Sequence, residues 1–163
     1  MGRKRILVVG LGHPYREDDG VGIRAAEEFE VMNQDSRVEV MAVQELLPEL
    51  TEVISHIDLL VFLDARAGGV PGTVEVTELK PAGLAGGVFA HTLTMETLLS
   101  TARNLFGHAP KAMLISVAGE SFDFGPHLST KIEAALPLLF ERLRELIGSF
   151  GNDGEPGTDP LGA

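Results

Sequence analysis

Ile6-Leu7-Val8-Val9-Gly10-Leu11-Gly12-His13-Pro14-Tyr15-Arg16-Glu17-Asp18-Asp19-Gly20-Val21-Gly22 is the stretch that decides the fold. Its continuous apolar start reads as a strand over Ile6 to Leu11 covered on both faces, as in a parallel sheet with helices on each side. Two glycines turn the chain. Val21, Ala25, Phe29 and Met32 then recur at spacings of four, four and three, the apolar face of a helix over 20–32. The glycine spacing superficially matches a dinucleotide fingerprint. Tyr15, however, stands where the third glycine of G-x-G-x-x-G belongs, and Glu17, Asp18 and Asp19 would repel a pyrophosphate at the helix start. Nucleotide binding is disfavoured.

The same alternation continues outward. Val38 to Val43, Leu59 to Leu63 and Met113 to Val117 read as further buried strands. Gly72 to Glu78 alternates cleanly behind Pro71, which suits a half-exposed edge strand. Leu50, Val53, Ile54 and Ile57 predict a second helix, with Pro48 near its first turn. Met95, Leu98, Leu99, Ala102 and Phe106 predict a third, closed by Gly107. Ile132, Ala135, Leu136, Leu139, Leu143 and Leu146 predict a fourth, with Ser129 as N-cap and Pro137 expected to kink or divide it. The expected fold is a three-layer α/β/α sandwich around a mostly parallel, five-stranded mixed sheet. One domain is expected over 1–148, and the Gly/Pro/Asp-rich residues 149–163 are expected to be a disordered tail. No internal repeat is present.

Composition works by exclusion. The 163 residues include 44% hydrophobic and 23% charged residues, the balance of one ordinary globular domain. No cysteine is present, which removes disulfide scaffolds, all-thiolate metal sites and a cysteine nucleophile. The formal charge of -11 argues against a nucleic-acid partner, and the basic run Arg3-Lys4-Arg5 is short. The apolar run behind it is too short for a membrane span or a secretory signal, so a soluble, cytoplasmic protein is expected.

Three places can carry chemistry. Asp18 and Asp19 sit at a helix start, where either can cap the helix or face a ligand. Asp64 follows the buried run Leu59 to Leu63, and the carboxyl ends of parallel strands line the ligand crevice of an open sheet. The plain alternative for Asp64 is an ion pair with Arg66. His91 lies just ahead of the third helix, where an imidazole can point into a cleft. Of the remaining histidines His13, His56, His108 and His127, His56 is expected in a helix and His108 just past one, both solvated. Two carboxylates and an imidazole suit a divalent transition metal such as nickel or zinc. Serine catalysis fits poorly, because no G-x-S-x-G elbow occurs and neither Ser116 nor Ser121 has a nucleophile motif.

From Ile6 to Ile147 the chain resembles the nickel–iron hydrogenase maturation endopeptidases. The resemblance rests on Ile6-Leu7-Val8-Val9-Gly10-Leu11-Gly12, Asp18-Asp19-Gly20-Val21-Gly22, Leu60-Val61-Phe62-Leu63-Asp64-Ala65, His91, Gly119-Glu120-Ser121-Phe122 and Leu128-Ser129. It implies a phosphorylase/hydrolase-like sandwich and a metal-directed endopeptidase that trims a short C-terminal peptide from the hydrogenase large-subunit precursor. The metal-binding and catalytic positions it implies are Asp19, Asp64 and His91. Nickel would arrive in the precursor, held by its cysteines, which suits a protease with none of its own. Either a metal-polarised carbonyl or water, or a carboxylate general base, would then drive hydrolysis. A monomer is expected.

Three departures mark this chain. Asp19 stands where the family often has Glu, His13 where Asn is usual, and Val43-Gln44-Glu45-Leu46 where a Gly-Gly-Thr turn is common. These departures suggest a branch serving a different hydrogenase class. Two other readings compete: a non-catalytic nickel-sensing or chaperone module for the same precursor, and another hydrolase on a similar sheet, such as a peptidyl-tRNA hydrolase. The acidic charge opposes the last.

Overall fold

The computed structural model describes residues 2–83 and 93–151. Five strands form one sheet: β1 (Ile6–Leu11), β2 (Val38–Val43), β3 (Leu59–Arg66), β4 (Val74–Leu79) and β5 (Lys111–Ala118), in the order β2-β1-β3-β5-β4. β1, β2, β3 and β5 run parallel, and only β4 is antiparallel, at the edge beside β5. The helices are α1 (Val21–Met32), α2 (Leu50–Ile54), α3 (Met95–Phe106) and α4 (Thr130–Phe150). The expected three-layer sandwich with a mixed five-stranded sheet is what forms.

Strand pleating divides the core in two. Ile6 and Val8 of β1 face α1 and α4, together with Val61, Leu63, Ile115 and Val117. Leu7, Val9 and Leu11 face α2 and α3, together with Leu60, Phe62 and Ala112. Alternate residues of one strand thus supply both interfaces, which is why the strands read as unbroken apolar runs.

The chain leaves β1 for β2 on one side and returns past β1 to β3, so the order reverses beside β1 and β3. A crevice opens at their carboxyl ends, as it does at such reversals in open parallel sheets. Small residues let α1 settle on that end. A Cβ on Gly10 would meet the Gly22 carbonyl oxygen at 2.2 Å and the Ala26 Cβ at 2.6 Å. These glycines therefore provide close approach of helix to sheet rather than room for a nucleotide.

Several boundaries differ from expectation. β3 runs three residues past Leu63, so Asp64 lies inside the strand, paired in register with Ser116. β5 is longer at both ends because it is held between β3 and β4. α2 stops at Ile54: the Ser55 hydroxyl donates to the Glu52 carbonyl at 2.6 Å, a local bond that competes with the helix. His56 is therefore exposed in a turn and not in a helix. His108 is exposed as expected, yet its Nε2 lies 2.8 Å from the Ile57 carbonyl oxygen and ties the start of β5 to the end of that turn.

Pro137 does not divide α4, which continues through it as one helix of 21 residues. Ile132, Leu139 and Leu143 on the same helix are fully buried, and that packing outweighs one missing backbone bond. α4 also carries the chain two residues beyond Gly148, to Phe150. The expected tail falls almost wholly on residues 152–163, outside the described residues. No helix among the described residues is long and apolar enough to cross a membrane.

Candidate active site

Asp18 and Asp19 are neighbours with opposite surroundings. Between Gly12 and α1 the chain makes a 3-10 turn over Glu17–Gly20. Alternate directions on that turn send Asp18 into the protein, fully buried, and Asp19 toward the crevice. Neither caps α1, whose N-cap is Gly20 without a side-chain bond. The capping expectation is corrected on both.

Asp18 fastens the turn to the loop between β5 and α4. Its Oδ2 accepts from the amides of Glu120 (2.8 Å) and Ser121 (2.9 Å) and from the Ser129 hydroxyl (2.6 Å), and its Oδ1 accepts from the Ser129 amide at 2.7 Å. In return the Asp18 amide donates to the Ser121 carbonyl at 3.1 Å. Burial alone would raise the pKa of this carboxyl, but the bonds from Ser129, Ser121 and Glu120 outweigh it and hold the pKa below the ordinary value. Ser129 is the N-cap residue of α4 by position, yet its hydroxyl serves Asp18 and not its own helix. The sequence shows an acid and a serine 111 residues apart, and nothing in local spacing joins them.

Asp19 accepts from the His13 amide at 2.8 Å through Oδ2. Asp64 accepts from the Ala65 amide at 2.8 Å through Oδ1. Each carboxylate is thus tethered by one oxygen, and its second oxygen has no hydrogen-bond partner among the described residues. Both line one cleft of about 420 Å³, floored by Leu11 and Gly12 and walled by Gln44, Leu46 and the start of α3 at Thr94 and Glu96. Gly12 has φ +139, and a Cβ there would meet the Asp19 carbonyl oxygen at 1.8 Å. Only glycine lets the turn fold back so closely.

Burial pushes the Asp64 carboxyl up from 3.8 to about 7; the Ala65 amide opposes the rise and the charge of Asp19 adds to it. Arg66, the alternative partner for Asp64, turns away to the Ser116 hydroxyl at 2.9 Å and to Glu75 at 3.5 Å. The cleft therefore presents two carboxylates with no cation paired to either among the described residues. That donor set suits a divalent cation brought from outside, which would relieve both burial and mutual repulsion. Among the described residues no group of three His, Asp or Glu side chains converges at metal-binding distance. His91 lies outside the described residues.

The raised pKa makes stability fall with pH. Between 3.8 and about 7 the folded chain holds a proton on Asp64 that the unfolded chain has released, so stability is lost across that window and the loss is complete above it. Asp64→Asn keeps the acceptor for the Ala65 amide and removes the titration. In metal-free thermal melts the variant should equal wild type near pH ~4 and exceed it near pH ~8, by on the order of 2 to 4 kcal/mol.

The sequence marks Val43-Gln44-Glu45-Leu46 as a departure without placing Gln44 and Leu46 in the cleft wall, and Thr94 was missed altogether. The usable signal was at Thr94, whose side chain accepts from the Thr97 amide in a reciprocal capping box that fixes the start of α3.

No protein-family profile matches the chain. It is 26% identical over 154 residues to the hydrogenase expression/formation protein HupD of Rhizobium leguminosarum bv. viciae, covering 90% of this chain and 76% of HupD. Its fold matches the hydrogenase maturating endopeptidase HybD from E. coli with a TM-score of 0.77 and 27% identity, over 90% of this chain and 94% of HybD. It also matches the NiFe hydrogenase maturation protease HycI from Thermococcus kodakarensis with a TM-score of 0.68 and 26% identity, over 93% and 95% of the two chains. In sequence and in fold together, and along nearly the whole chain, this protein is similar to hydrogenase maturation endopeptidases.

Proposed function

We propose that this protein releases a short C-terminal peptide from the nickel-loaded precursor of a nickel–iron hydrogenase large subunit, acting as a monomer in the cytoplasm. The observation that carries the reading is that Asp19 and Asp64 line one crevice, in a chain similar to this family, each with one oxygen that has no partner among the described residues. His91 is the third member of the proposed set. Nickel is part of the substrate in this reading, held by cysteines of the precursor, and this chain has none to compete for it. When bound, it supplies electrophilic polarisation beside the scissile bond.

The residues of this chain do the rest. The His13 amide fixes the direction of Asp19, so its free oxygen is oriented before substrate arrives. Burial raises Asp64 to about 7 before substrate arrives, and a cation in the cleft would favour its ionised form, a carboxylate suited to hold the metal or to take a proton from water. Leu11 and Leu46 supply apolar walls against which a peptide segment excludes water.

Incubation with nickel-loaded precursor should release one short C-terminal peptide, read by mass spectrometry, while nickel-free precursor stays uncut. Equal cleavage with and without nickel overturns the metal-directed part of the reading. Stable binding with no change in precursor mass overturns the catalytic part.

A further inference from the structure

A second cavity of about 340 Å³ lies on the α1 side of the crevice, and Gln44 lines both. Its floor is apolar, from Ile23 and Leu128, the exposed Pro126 adds to the apolar lining, and Glu17 and Glu27 line it as well. Gly20, Ile23, Arg24 and Glu27 lie three and four residues apart, so one face of α1 forms this wall. The opposite wall comes from the loop that Asp18 fastens, and it is further stitched by Glu17 amide to Gly125 carbonyl (2.9 Å) and Gly125 amide to Tyr15 carbonyl (2.9 Å). The cavity is therefore preformed.

Its charge is one-sided. Arg24 is the only cation among the described residues that line it, and it is spent on two carboxylates: Nε to Glu28 at 2.7 Å, and its two terminal nitrogens to Glu133 at 3.0 and 3.3 Å. Glu17 and Glu27 have neither an ion pair nor a side-chain hydrogen bond among the described residues. An apolar floor with two unpaired carboxylates above it fits an amphipathic side chain or segment with a positive head, such as lysine or arginine, whose stem lies on the floor.

We infer that this cavity is a docking subsite for a cationic segment of the protein substrate, separate from the Asp19/Asp64 cleft and joined to it across Gln44. It rests on the proposed processing of a hydrogenase precursor and adds how that precursor is held. Because the subsite touches substrate away from the two carboxylates, it governs binding and not the rate of the bound complex.

The test uses full-length protein, nickel-loaded precursor and two charge reversals on α1. Glu27→Lys places a positive charge in the cavity, while Glu30→Lys makes the same change in net charge on an exposed position outside it. Glu27→Lys is expected to raise KM by roughly tenfold or more at low salt with kcat unchanged, and Glu30→Lys to stay within about twofold of wild type. Added salt should narrow the difference between wild type and Glu27→Lys. Equal behaviour of the two variants overturns the subsite, because net charge alone then explains the effect. A fall in kcat with KM unchanged also overturns it. A wild-type dimer that Glu27→Lys dissolves, seen by sedimentation, would assign the cavity to a second copy of this chain and overturn it too. If wild type leaves the precursor uncut, the processing reading fails and this inference fails with it; if wild type cuts and Glu27→Lys matches it, only the inference fails.

Discussion

Asp19→Ala should reduce release of the C-terminal peptide by about 10³-fold or more while leaving the protein folded, whereas Asp18→Ala, one residue away, should act first on the stability of the fold. Asp19 lies partly exposed in the crevice with a single bond, from the His13 amide, so its loss costs the fold about 1 kcal/mol or less. Asp18 is fully buried, and its two oxygens serve three backbone amides and one hydroxyl. Truncating it strands those amides in the interior and should cost about 3 to 5 kcal/mol, read as a lowered denaturation midpoint. Asn is a poor substitute at position 18, because one of its two polar atoms would present hydrogens to groups that already donate.

The pair separates two readings that sequence alone leaves merged. If Asp19→Ala retains full processing, Asp19 is not part of the machinery whatever its place in the cleft. If Asp18→Ala melts like wild type but loses processing, the roles of the two residues are exchanged. Asp19→Glu tests the departure from the family pattern: one added methylene keeps the carboxylate but moves it farther into the crevice.

Much of this fold could be read along the chain, and the reason is local. β1 and the buried part of β3 are continuous apolar runs because both faces of the sheet are covered there, and α1, α3 and α4 keep the period of a helix lying on a sheet. β2, expected to be buried, is an edge strand that carries Glu39 and buries only Val38. What could not be read depends on partners distant in sequence. The burial of Asp18 depends on Ser129, and the length of β3 on its register with β5. α2 ends where a serine hydroxyl takes a backbone carbonyl, a contest whose outcome periodicity does not show. For the site, Asp64 was legible as the end of a parallel strand. Spacing left Asp18 and Asp19 equivalent, and only the resemblance chose Asp19, since adjacent residues on a turn can face opposite ways.

The glycines were legible only as turns, and their other use supports the second large effect. Gly22→Ala should destabilise the protein by about 3 kcal/mol or more and lower processing together. A Cβ on Gly22 would lie 2.2 Å from the Leu63 carbonyl oxygen and 2.3 Å from that of Leu11. Both atoms are backbone in central strands, so neither can swing aside as a long side chain would. The first turn of α1 has to lift from the sheet instead. That turn follows directly from Asp19, and Leu63 directly precedes Asp64, so the lift changes the relation of the two carboxylates as well as the packing. Gly148→Ala supplies the opposite sign. It lies inside α4 with nothing within 4 Å of a new Cβ, and alanine there should stabilise the helix by about 0.5 to 1 kcal/mol with processing unchanged. A Gly22→Ala protein that melts with wild type and still releases the peptide would show that α1 does not need this approach. The crevice would then be held by the Asp18 bonds alone.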